Sequence, residues 1–166
     1  MILGLPLATF TKLHVLISVA GILTGLVVVN FMLQGEQRPR WTAAFLIATI
    51  LTSVTGFMFP ATTITPAAIF GYLSLAVLAV ALLALYAFGL RGIWRTVYVV
   101  TAILALYLNV FVLIVQAFQK IPQLHRFAPT GGEPIFFVAQ ALVLACFVAI
   151  GVMALRSFHP ERAALA

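Results

Sequence analysis

Residues 13–33, 41–59, 66–88, 96–118 and 134–155 form five apolar runs that contain no Asp, Glu, Lys or Arg. Each is long enough to cross the hydrocarbon core of a bilayer, which takes about 20 residues of helix. Inside hydrocarbon every backbone polar group must be satisfied within the protein, so a spanning segment is either a helix or a strand of a closed barrel. Barrel strands alternate apolar and polar residues over about ten positions, and these runs do not alternate. The sequence therefore predicts an all-α integral membrane protein, one transmembrane domain over residues 1–166 built as a bundle of five transmembrane helices. Only 7% of the residues are charged, against about a quarter in soluble domains.

The net charge of +6 comes from nine basic residues spread one or two to a loop. No basic stripe or run exists, so nucleic acid is not the expected partner; lipid headgroups are. Loops on one side carry Lys12, Lys120 and Arg126. The other side carries Arg38, Arg40, Arg91, Arg95, Arg156 and Arg162. The positive-inside rule puts the richer side in the cytoplasm, with the N-terminus outside and the C-terminus inside. The chain resembles the small multi-pass proteins of bacterial inner membranes, which implies that location. Trp41 and Trp94 fall at the cytoplasmic boundary. The first ten residues lack a basic n-region, and no small-residue cleavage pattern follows, so no cleaved signal peptide is read. Cys146 lies mid-run, where a buried thiol acts as a small hydrophobe.

The breaks carry helix signals. Pro39 suits a first helical position, Pro60 ends the second run, and Thr65 precedes Pro66 as an N-cap. Helix one is expected to begin early, near Pro6. Thr130 and Glu133 have the spacing of a capping box. Arg38-Pro-Arg-Trp41 aligns with Arg91-Gly-Ile-Trp94 at an offset of 53 residues, and Ile50-Leu51 with Ile103-Leu104. That pattern suggests two tandem hairpins plus one added helix.

Polar residues inside the runs mark candidate contact faces. His14, Ser18, Gly21 and Gly25 share one face of helix one, and the spacing of Gly21 and Gly25 permits close helix approach, within the bundle or to a neighbouring chain. Thr49, Thr52, Ser53 and Gly56 line helix two, and Thr101, Ala105, Asn109 and Gln116 line helix four. Asn109 sits near mid-membrane and needs a partner. Residues 119–134 are the one long polar interruption. With Lys120, His125, Arg126 and Glu133 they are expected to cap an outward-facing polar pocket formed with His14, Gln116 and Gln140, Leu124 and Phe127 pressing the loop down.

No catalytic constellation is found: there is no Asp, and all three acids lie in loops or the tail. No metal site with helical ligand spacing is read. The leading expectation is a non-enzymatic membrane protein without a cofactor, acting as a binder of small ligands or lipids or as an accessory subunit, in a homo-oligomer or a larger complex. A redox protein with haem or quinone between His14 and His125 is the alternative. A small transporter or channel is the second alternative, although no titratable path crosses the spans.

Overall fold

The structure, a computed structural model, describes residues 1–60 and 66–160. The Thr65 cap and Arg162 lie outside these residues. Six α-helices follow in order: α1 Leu7–Leu33, α2 Pro39–Phe57, α3 Pro66–Leu82, α4 Ile93–Lys120, α5 Pro122–His125 and α6 Pro134–Ser157. A π-helical turn, Leu83–Ala87, prolongs α3. All except the short α5 are long and apolar enough to cross a membrane, with α3 counted together with its π turn. That is compatible with a multi-pass membrane protein.

The helix ends depart from the apolar runs where polar residues are helical. The first helix starts at Leu7 because Pro6 occupies the N-cap, its carbonyl accepting from the Phe10 N–H. Lys120, expected in the loop, is the last residue of α4. Helix α2 stops at Phe57, before Pro60 is reached. The capping-box expectation at Thr130 is corrected. Helix α6 begins at Pro134 with Glu133 as its N-cap, because Gly131, at φ +75°, breaks any helical path from Thr130. The Glu133 carboxylate instead accepts from the Thr130 N–H at 3.0 Å and the Thr130 hydroxyl at 2.9 Å.

The helices alternate up and down. Helix α1 packs most extensively on α2, and α3 on α4; α2–α3 and α1–α4 contacts close the bundle, and α6 lies in the groove between α4 and α1. Helix α4 is the most enclosed span and α6 the least, burying only Gln140 and Ala154. Cys146 is consequently exposed on the outer face of α6, not buried. At the 53-residue offset, Phe45 and Tyr98, Leu46 and Val99, and Thr49 and Ala102 are all buried.

Gly25 explains how α1, α2 and α4 meet. A Cβ there would lie 2.6 Å from Leu106 Cδ1 and 2.8 Å from Phe45 Cε2, while one at Gly21 would find ordinary contacts at 3.5 Å. The small-residue face of α1 is thus filled by this chain's own side chains, and is not free for a neighbouring chain. Beside it, the Asn109 amide donates to the Thr49 hydroxyl at 3.4 Å. Gly21, Thr49 and Asn109 make one mid-bundle layer.

Candidate functional site

The bundle has two unlike ends. The arginine end holds residues 34–38, 88–92 and 158–160; the histidine end holds residues 1–6, 58–60 and 121–133.

At the histidine end, helical period and burial disagree. Two turns of helix, seven residues, return a side chain to within about 20° of the same face. Stepping two turns from the Gly21–Thr49–Asn109 layer toward this end reaches His14 on α1, Gly56 on α2 and Gln116 on α4. All three extend stripes that are buried lower down: Gly21, Gly25 and Val28; Phe45, Thr49 and Ser53; Ala102, Ala105 and Asn109. Yet Gly56 is exposed, and His14, Ser18 and Gln116 are only half-buried. A Cβ on Gly56 would meet nothing within 4 Å except His14 Cε1, at 3.7 Å. His14 and Gly56 thus adjoin across α1 and α2, with open space beside them at this end. Phe10 and Phe59 pack edge-on at 5.2 Å, and Phe59 also meets the His14 ring edge-on at 5.2 Å.

His14 is held in a defined state. Its Nδ1 lies 2.7 Å from the Thr55 hydroxyl. That hydroxyl has one proton, and it donates to the Leu51 carbonyl at 2.6 Å. Two oxygens at that distance need the proton between them, so the Thr55 oxygen accepts from His14 and Nδ1 carries the ring proton. In the neutral ring the Nε2 lone pair is then left available, on the Cε1 edge that borders Gly56. The Gln116 Oε1 atom is buried without a hydrogen-bond partner. Lys120 lies one turn beyond Gln116, at the end of α4.

The remaining expected site residues lie elsewhere. Gln140 is 7% exposed and faces α4, donating to the Phe111 carbonyl at 3.2 Å, its own Oε1 unpartnered. His125 and Arg126 are exposed. They belong to α5 and its C-cap, and α5 packs against α4 alone among the helices. The structure therefore does not bring His125 to His14. The loop is anchored by Ala128, 3% exposed, and not by Phe127, which is 61% exposed. Glu133 stays with Thr130, whose backbone N–H, then its hydroxyl, holds the carboxyl below the ordinary range. Thr55, Phe10 and Phe59 were not legible as site residues. Thr55 sits off the Thr49–Ser53–Gly56 stripe, and phenylalanines at the end of an apolar run carry no signal of their own.

At the arginine end a cation ties two helices together. The Arg95 guanidinium, read from sequence only as a topology signal, donates to the Leu155 carbonyl at 3.0 Å and the Phe158 carbonyl at 2.6 Å. It thereby caps the C-terminus of α6. Phe88 stacks on Trp94 at 3.7 Å. A cleft lined by Val28, Met32, Thr42, Tyr98 and Phe158 has Glu36 and Arg38 at its rim, the two bonded at 2.6 Å. It encloses about 190 Å³ including open solvent, below the roughly 300–1,000 Å³ of ligand pockets.

No protein-family model, curated protein or solved structure matches this chain.

Proposed function

We propose that the chain is a multi-pass inner-membrane protein of a bacterial cell that binds a small ligand or lipid at its histidine end, as a non-enzymatic binder or accessory subunit. The observation that carries this reading is the accessibility of His14, Gly56 and Gln116 on otherwise buried stripes. The polarity of this end is the second support, since His14 and Gln116 both lie on its inward stripes and the Gln116 Oε1 atom has no partner in the bundle. The charge count of the loops supports an orientation with the histidine end outside. The matching buried positions in α2 and α4 support descent of the two hairpins from one repeat.

The test is retention. Protein purified from its own membrane should carry a small molecule detectable by mass spectrometry, and Gly56→Leu, which fills the space beside His14, should release it while leaving the fold intact. Equal content in the two proteins would sink the reading.

One observation favours a second reading, a redox protein. Ligating histidines commonly donate their other ring N–H to a fixed partner, and His14 does this through Thr55. In the described arrangement His125 does not supply the opposite axial position, so haem would need a ligand from another chain. Purified protein with no Soret band, before and after haem addition, removes this reading.

A further inference from the structure

We infer that the C-terminal end of α6 is a gate over the cleft at the arginine end, with Phe158 as its plug and Arg95 as the latch that holds it shut.

Helix α6 can move without dismantling the rest. Helices α1 to α4 close on one another, and α6 lies against α4 and α1 from outside. Within the helix only Gln140 and Ala154 are buried. In lipid an apolar face gains nothing from the hydrophobic effect by docking, so a peripheral span is held by packing and by its few polar bonds. Those bonds lie at two points. Gln140 donates to the Phe111 carbonyl in the N-terminal half of α6, where Phe136 also meets Phe118 edge-on at 5.5 Å. Arg95 holds the other end through the Leu155 and Phe158 carbonyls.

The second point closes over something the first does not. Phe158, the C-cap residue of α6, is 1% exposed, its ring 6.0 Å from that of Tyr98 on α4. It lines the cleft together with Met32 of α1 and Thr42 of α2. One side chain from the peripheral helix is thus set among three others. In the same cleft the Tyr98 hydroxyl is buried without a partner, a state that contact with water relieves. The shut arrangement is therefore opposed at Tyr98 and held at Arg95. Without the Arg95 bonds the balance moves toward withdrawal of Phe158. Its volume then joins the cleft, and water enters past Glu36 and Arg38 at the rim.

Thr42→Cys reports the opening, because Thr42 is 3% exposed and lines the cleft. Cys146→Ala removes the native thiol, which is on the exposed face of α6. In nanodiscs, a charged water-soluble methanethiosulfonate should label the Thr42→Cys thiol slowly. Adding Arg95→Met should quicken labelling about ten-fold or more, the scale of losing hydrogen bonds to a charged group. Arg95→Lys, which keeps the charge without the forked head, should fall between. Gln140→Leu, which frees the opposite end, should leave the rate unchanged. Ala105→Cys, 0% exposed on α4, controls for general loosening and should stay unlabelled throughout. Three results overturn the gate: an unchanged rate with Arg95→Met, labelling of Ala105→Cys that rises in step, or an equal effect of Gln140→Leu, which would mean that α6 leaves as a whole. If the methionine variant does not fold, Arg95→Lys decides, and a native rate there overturns the latch.

Discussion

The two ends of the bundle are built from similar materials to opposite effect. At the arginine end a cation, Arg95, reaches across to the last carbonyls of α6, and Tyr98, Met32 and Phe158 beneath it are each 1% exposed. At the histidine end a cation, Lys120, meets no carbonyl among the described residues, and the positions on the same helical stripes stand half open. Each end leaves a buried polar atom unpartnered, the Tyr98 hydroxyl at one and Gln116 Oε1 at the other, but only the arginine end turns a cation to finishing a helix. Stability should therefore reside at the arginine end and binding at the histidine end, and substitutions can separate the two.

The largest effect is expected from Arg95→Met. It leaves two carbonyls at the end of α6 without a donor, and hydrogen bonds to a charged group contribute about 1.5–3 kcal/mol each. Thermal unfolding in detergent should fall by several degrees, with Arg91→Met, an exposed cation, as the neutral control. If the two variants unfold alike, the clasp does not hold α6. Next comes the glycine pair. Gly25→Ala drives a methyl into Phe45 and Leu106, each about 1% exposed, and overpacking of this kind costs about 1–3 kcal/mol. Gly21→Ala meets ordinary contacts and should be neutral or slightly stabilising. Equal losses at both would mean that the three-helix junction is looser than its geometry. His14→Ala should move stability least among the bundle variants, by about 1 kcal/mol or less, since it removes one half-exposed hydrogen bond. A large loss there would break the division of labour between the ends.

How much of this was legible in the sequence follows from what lipid does to hydrophobic patterning. The five spans stand out because charge is absent. Which face of each span turns inward does not, because a lipid-facing residue is as apolar as a buried one. Only small and polar residues mark the inner face, and Gly21, Thr49 and Asn109 are buried on α1, α2 and α4. On α6, whose apolar residues run all the way round, nothing in the pattern showed that Cys146 faces outward. Arg95 was legible as a charge at a boundary, but its capping role depends on where α6 ends, sixty residues away. At the histidine end the sequence pointed to His14 and Gln116, but not to Gly56 as the neighbour of His14, which depends on how α1 and α2 lie in register.

The loop over residues 121–133 belongs to the histidine end by position, yet it is tied to itself, and pH separates it from His14. The Thr130 N–H holds the Glu133 carboxyl below its ordinary value, with the Thr130 hydroxyl adding to it. A carboxyl depressed in the fold contributes stability that is fully present above its unfolded value, about 4.3, and that disappears as the pH falls through the lower folded value. Negative charge at this position also faces the N-terminus of α6, where it is favoured. Wild type should accordingly be slightly more stable than Glu133→Gln at neutral pH, with the difference constant down to the ordinary carboxylate range and closing below it. Thermal unfolding of both proteins from pH 7 to pH 3 reads this directly. A difference that persists at the lowest pH would mean that Glu133 acts through its shape and not its charge. Retention of a small molecule at the histidine end should not follow this substitution, because Glu133 and His14 occupy separate hydrogen-bond networks at the same end of the bundle.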